Sequence, residues 1–403
     1  MAVLVATQAV RAAPSSDERS FEACISELQA LALRQAVSEP IVRDVMAALT
    51  YQPRVIELDR QQPEFRQSFS AYLLARVNTA RVRRGQELHA RHRQLLDELT
   101  RKYGVPGHYL VSFWGMETNF GSYLGSMPTL DSLATLACDP RRSAFFTEEL
   151  ITALKLLERE GFEPSAMHGS WAGAMGHTQF MPSSYMRHAV DGDGDAKVDL
   201  WGSEADALTS AASYLADLGW QRGERWGREV RLPESFPYAE TGLAHPAPLS
   251  RWRERGVRQA NGQTLPSADL QAAVLVPMGH RGPAFLVYGN FDVIMKWNRS
   301  RAYAIAVGHL ADRIAGGGGL VADLPELETA PSRSQVEQLQ RGLIEQGFDP
   351  GEPDGALGPA TRAALRDFQV ARGLVADGYP GPETLNALAA EARPNEHRIM
   401  NDR

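Results

Sequence analysis

YLVSFWGMETNFG, Tyr109 to Gly121, sets the helical period and one acidic group side by side. Leu110, Phe113, Trp114 and Glu117 fall at i, i+3, i+4 and i+7, so the carboxyl shares one helical face with three large apolar side chains. Poor solvation there disfavours the carboxylate and raises the pKa, as a general acid working near neutral pH requires. The competing reading is a helix-end glutamate bonded to backbone groups in the core.

Helical spacing extends to both sides of this segment. Residues 21–104 keep apolar positions on one face and charges on the other, which reads as solvated outer faces. A second helical block runs over 106–218, broken at Gly121, Pro128, Pro140, Pro164 and Pro182. Residues 228–276 change texture, with short β-branched or alternating pieces between turn residues, and predict a small strand-rich insert. Helical pattern returns from Phe291 to Gly316. Four glycines, Gly316 to Gly319, followed by Pro, Ser and acidic residues mark a linker. Beyond it DGALGPATRAAL (Asp354 to Leu365) recurs 23 positions later as DGYPGPETLNAL (Asp377 to Leu388). Each copy is an Asp-Gly turn, a Gly-Pro step and an amphipathic helix, with Pro359 and Pro382 suited to a first helical turn.

These boundaries divide the chain into an N-terminal stretch 1–16, a main helical domain 17–315, a linker 316–333, a repeat module 334–392 and a tail 393–403. The fold class is mainly α. With 403 residues, 43% hydrophobic and 23% charged, the chain has ample material for packed cores, and disordered or fibrous classes are excluded. A net charge of −7 without a basic block argues against nucleic acid, whose binding rests on clustered Lys and Arg. No stretch reaches the roughly 18–20 continuous apolar residues of a membrane-spanning helix. MAVLVATQAVRAA, residues 1–13, has the apolar run and small-residue end of a secretory signal without its basic start, and reads either as a clipped signal or as a frayed terminus. Cys24 and Cys138 permit one disulfide or two free thiols.

Two further segments carry polar groups in unusual company. HGSWAGAMGHTQFMPSSY, His168 to Tyr185, sets glycines among aromatics and amides, so backbone can approach a neighbouring element or a bound sugar closely. Ser170 and Gln179 are its candidate hydrogen-bonding groups, and a tight helix-packing corner is the alternative. His168 and His177 lack partners at zinc spacing. In DGDGDAKVDLWGSEADAL, Asp191, Asp193 and Asp195 occupy positions 1, 3 and 5 of an EF-hand loop, Lys197 position 7 and Asp199 position 9. The match fails at position 6, Ala196 instead of Gly, and at position 12, Gly202 instead of Glu. Glu204 or Asp206 is the candidate replacement ligand, although Ser203 and Asp206 also form a helix capping box. Calcium is the candidate ion, and a solvated acidic turn the alternative.

WGMETNFG, TLDSLATLACDPRR, GSWAGAMGHTQFMPSSY and DGDGDAKVDLW together resemble the membrane-bound lytic murein transglycosylase B family over about 21–314. The 334–390 repeat resembles a peptidoglycan-binding domain. The resemblance implies a lysozyme-like catalytic domain with a strand-containing insert. It implies cleavage of the β-1,4 bond between N-acetylmuramic acid and N-acetylglucosamine without water, leaving 1,6-anhydromuramoyl ends, and no cofactor for catalysis. Glu117 matches the family's sole catalytic carboxylate, acid first and base second. Ser170, Gln179, Tyr214, Asn298 and Tyr303 match cleft positions, with Tyr72 a looser match. Trp297 stands where the family often has Tyr, and can stack on a sugar but accept no hydrogen bond. A monomeric periplasmic enzyme acting on peptidoglycan strands follows from the family, with cell-wall synthases as a partner class and oxidising surroundings that permit a Cys24–Cys138 bond. No lipid-anchor motif precedes Cys24. A hydrolytic muramidase and a non-catalytic wall-binding scaffold are the alternatives.

Overall fold

The computed structural model describes residues 16–61, 67–324 and 331–391. The signal-like run at 1–13, the tail beyond 391 and part of the linker lie outside them. Packing divides the chain into two units, Met1–Gln61 with Gly121–Ser210, and Gln62–Phe120 with Ala211–Arg403.

In the first unit the helices Thr129–Ala137 and Ser143–Glu160 pack as its central pair. Cys138, at the end of the former, is bonded to Cys24 in the helix Ser16–Arg34, across 114 positions of sequence with Cα atoms 5.9 Å apart. Closing so long a loop constrains the unfolded chain and contributes about 2–5 kcal/mol. Nearby, buried Asp59 is met by Arg141, at 2.8 Å, and by Arg142, with Arg60 at 3.4 Å. Its charge is thus offset where water cannot reach it. A two-stranded ribbon, β1 (Met127–Pro128) with β2 (His168–Gly169), was not foreseen in the helical block 106–218. Two residues per strand are too few to show a period.

The second unit builds on the helices Gly107–Thr118 and Arg301–Ile314, which cross in contact. Ser112 Oγ donates 2.7 Å to the carbonyl of Val307 at that crossing. Such a buried bond fixes the relative register of the two helices.

The strand-rich insert is a five-stranded antiparallel sheet of β3 (Gly227–Arg231), β4 (Ala247–Pro248), β5 (Arg258–Gln259), β6 (Gln271–Leu275) and β7 (Ala284–Val287), ordered β4-β6-β7-β3-β5. It runs past the expected limit of 276, because AFLV in β7 is buried on both faces and shows no alternation. Phe236, Trp252, Val257 and Leu286 fill its core.

The repeat module also belongs to the second unit. Gln340 and Gln369, both buried, play the same part in its two copies. Gln340 Nε2 donates to Asp354 Oδ1, Ala356 O and Thr361 Oγ1, while its Oε1 accepts from Gly355 N. Gln369 Nε2 donates to Asp377 Oδ1, Tyr379 O and Thr384 Oγ1, and accepts from Gly378 N. One amide thereby closes each Asp-Gly turn onto the helix that follows it. The module is docked: His280 donates its backbone N–H to Asp377 Oδ2 at 2.9 Å with its ring Nδ1 2.7 Å away, and Arg281 pairs with Glu383. Gly279 makes the approach geometrically feasible, since at φ 72° an added Cβ would lie 2.6 Å from Asp377. Past the glycine run, Glu229 accepts from Val321 N and Ala322 N, so this part of the linker is tied to the sheet.

Candidate active site

Glu117 stands in the last turn of the Gly107–Thr118 helix, and Leu110, Phe113 and Trp114 are buried as the spacing requires. The chain then leaves the helix through three left-handed residues, Asn119 (φ 50°), Phe120 (φ 60°) and Gly121 (φ 77°). Two of these carry side chains, a conformation that costs about 1–2 kcal/mol each. Phe120 recovers part of this by folding back over Gly115, where a Cβ would sit 2.7 Å from its ring, and by meeting Trp114 edge-on at 5.9 Å. The strained exit holds the end of the helix that carries the carboxyl.

Both described hydrogen bonds to Glu117 reach one oxygen. Trp297 donates its indole N–H to Oε1 at 2.9 Å, and the Tyr303 hydroxyl donates to the same atom. Among the described residues Oε2 has no partner, and Glu117 is only partly buried. Tyr303 lies in the first turn of Arg301–Ile314, whose cap, Ser300, accepts from Tyr303 N at 3.2 Å. Trp297 ends the helix Gly289–Trp297 and is held between Phe113 at 4.6 Å and Tyr214 at 5.1 Å.

Burial lifts the Glu117 pKa to about 7 against the opposing pull of Tyr303, Trp297 and the Arg76 charge. No second carboxyl is among the groups that act on it. Burial and the adjoining Glu117 push the Tyr303 phenol well above its usual value, so it remains a donor. Tyr72 is raised mainly by burial, with Arg76 over its ring at 5.4 Å.

The second unit thus gathers Glu117, Tyr72, Tyr214, Trp297 and Tyr303. Asn298 is exposed beside Trp297, its side chain unbonded to the group among the described residues. Phe113, placed on the Glu117 face by the helical spacing, packs against Trp297, whereas Arg76 is not singled out by the sequence. The charges of 21–104 were read as solvated, yet Arg76 acts on the buried carboxyl; its position four residues after Tyr72, on one helical face, was the available signal. Trp297 also donates its N–H to the carboxyl, a bond beyond the stacking expected of its ring.

Ser170 and Gln179 belong to the first unit. Ser170 Oγ accepts from Ala174 N at 3.1 Å, closing a turn around Gly173. Gln179 is left-handed (φ 50°), and its Nε2 donates to Leu124 O at 3.1 Å and Gly176 O at 3.0 Å. Among the described residues that leaves Oε1 as the open end of the amide.

In the acidic loop Asp191, Asp193 and Asp206 bring carboxylate oxygens within 4.8 Å of one another. Asp195 is outside that group and accepts from Lys197 N. Ala196 takes φ 69°, the left-handed conformation normally filled by Gly at position 6. Buried Asp206 accepts from Gly192 N and Asp199 N, tying the loop to the helix Glu204–Asp217.

A mostly helical lysozyme-like domain whose Glu117 carboxyl is held by two neutral donors, joined to a helical repeat module, has the build of a glycan-cleaving enzyme. The chain belongs to the transglycosylase SLT domain family, matched over residues 20–312, and residues 332–388 match a peptidoglycan binding domain family. It is 34% identical over 237 residues to the membrane-bound lytic murein transglycosylase B of Escherichia coli (strain K12), spanning 58% of this chain and 64% of that relative. Its fold follows SltB3 from Pseudomonas aeruginosa, solved in complex with NAG-anhNAM-pentapeptide, with TM-score 0.88, 45% identity, and coverage of 92% of this chain and 100% of that one. Escherichia coli Slt35, solved in complex with calcium, gives TM-score 0.64 and 28% identity over 72% of this chain and 92% of that one. Among the described residues no helix is long and apolar enough to cross a membrane.

Proposed function

We propose that this chain is a lytic transglycosylase of the bacterial cell envelope, cleaving the β-1,4 bond between N-acetylmuramic acid and N-acetylglucosamine with Glu117 as the only catalytic carboxyl. The observation that carries this reading is a lone carboxyl, raised to about 7, with one oxygen held by two donors and the other open. Glycosidases that activate water as a nucleophile, or form a covalent intermediate, use a second carboxylate. Here the protonated Glu117 gives its proton to the glycosidic oxygen as the C1–O bond breaks, and the substrate's own N-acetyl group supports the cation at C1. The resulting carboxylate takes the proton of the C6 hydroxyl, whose oxygen bonds to C1. Glu117 ends protonated again and no water is consumed.

Trp297 and Tyr303 orient the carboxyl and keep Oε2 turned to substrate. In the second unit Tyr72, Tyr214 and Asn298 are assigned to the sugars, whose rings suit aromatic faces and whose hydroxyls suit amide and phenol groups; for Ser170 and Gln179 of the first unit the assignment to sugar rests on the family resemblance alone. The repeat module would hold the enzyme on its polymer and raise the local concentration of bonds to cut. The test is mass spectrometry of digested peptidoglycan: every new end one water lighter than a reducing end supports the reading, and hydrated ends overturn it.

Catalysis draws on no metal in this scheme. The acidic loop is a separate, structural site in our reading, with Asp191, Asp193, Asp195, Asp206 and the carbonyl of Lys197 as calcium ligands. The left-handed Ala196 supports it, as does the calcium complex of the Escherichia coli relative. Calcium should raise the unfolding temperature of the full chain but not of Asp191→Asn; an equal rise in both removes the site.

A further inference from the structure

A cavity of about 200 Å³ in the second unit is lined by three arginines, Arg301, Arg362 and Arg366, from the catalytic part and the repeat module. Their charge is poorly compensated. Among the described residues the Arg301 side chain makes no hydrogen bond or ion pair. Arg362 reaches only Gly378 O at 3.4 Å, and Arg366 only Arg362 O and Thr241 Oγ1, both at 3.4 Å. The Arg366 Nε is buried with no partner. One carboxylate lines the cavity, Asp377, and it is already engaged by His280, Gln369 Nε2 and Tyr379 N. Burial, with Arg301 and Arg366 alongside, pushes Arg362 down to about 10. Clustering like charges out of water is unfavourable, and an anion with two planar oxygens relieves it by matching guanidinium forks.

The rest of the lining narrows the ligand. Phe69, Val276, Ile305 and Leu357 add apolar wall, so the chamber suits a small carboxylate carrying a short aliphatic group. It also shares elements with the site above. Arg301 and Tyr303 stand in the first turn of one helix, and Phe69 and Tyr72 in another.

We propose that this chamber is a substrate subsite in which Arg301, Arg362 and Arg366 take a free carboxylate of a peptide borne by the glycan strand. The proposal rests on the transglycosylase reading and gives it a preference for peptide-bearing strands.

Calorimetry at fixed ionic strength tests it on the full chain carrying Glu117→Gln, which binds without turnover. The ligands are a disaccharide-pentapeptide, the same compound with its carboxyls amidated, and sodium acetate. Amidation is expected to weaken binding about tenfold, the size of one lost charge-assisted contact. Adding Arg301→Gln or Arg362→Gln should erase the difference between free and amidated ligand. Should both variants unfold, acetate must still raise the unfolding temperature of the unaltered chain above that in equal chloride. Equal binding of free and amidated ligand overturns the proposal. So does a tenfold difference that survives both substitutions, or acetate binding with no effect of amidation, which would mark a small-anion site the peptide does not use. Product analysis of digested strands reports on the transglycosylase reading independently, since it needs no anion binding.

Discussion

Glu117 and Asp59 are both carboxyls drawn into the protein, and they are handled in opposite ways. Asp59 is 2% exposed, with both oxygens claimed by guanidinium groups. Glu117 has two neutral donors on one oxygen, the other oxygen open, and a pKa near 7. Full pairing fixes a charge and leaves it nothing to do. Partial pairing with neutral donors orients a carboxyl while leaving its proton transferable.

The largest expected effect separates the two at once. Glu117→Gln keeps the acceptor for Trp297 and Tyr303 but has no proton to give, so turnover of glycan strands should drop by about 10²–10⁴-fold; steady-state assay of released fragments reads it. Asp59→Asn should instead lower unfolding free energy by about 1–3 kcal/mol, since it removes the buried charge on which three half-exposed guanidinium groups converge and leaves them to water. Denaturant titration measures that loss, and turnover per folded molecule should be retained. If Asp59→Asn abolished turnover in folded protein, the contrast would fail.

Next comes the pH dependence of stability. The folded-state pKa of Glu117 lies above its usual value, so its favourable contribution is complete below about 4.5 and is lost as pH rises through about 7. Glu117→Gln, always neutral, should therefore gain on the parent over that interval and hold the gain above it. With partial solvent access the gain is on the order of 2 kcal/mol, seen as a higher unfolding temperature at pH 8 and none at pH 4. The smallest effect tunes the group without removing it. Trp297→Phe deletes a bond that favours the carboxylate, so the pKa should rise and the alkaline limb of kcat/KM should move to higher pH. A pH-rate profile of both forms decides this, and a limb that stayed in place would mean that Trp297 does not act on Glu117.

Sequence carried much of this account where a local pattern was enough. The period of 109–121 put Glu117 among Leu110, Phe113 and Trp114, and the repeated Asp-Gly, Gly-Pro steps announced the two matching glutamine-closed turns of the module. Local patterns do not report pairing across the chain. Arg76 reaches Glu117, Trp297 turns its indole N–H to the same carboxyl, and Asp59 collects arginines some 80 positions away. Strands β1, β2 and β7 escaped for a related reason, being too short or too fully buried to alternate. The arginine chamber was also illegible, because its walls come from segments far apart in sequence that meet only when the module docks.

The central claim is that one carboxyl suffices and water takes no part. Digesting peptidoglycan in water enriched in heavy oxygen tests it directly, with the products weighed by mass spectrometry. The account predicts anhydro ends that carry no label. New labelled reducing ends in place of anhydro ends, beyond the exchange of existing reducing ends measured without enzyme, would contradict it, because water would then have supplied the oxygen at C1.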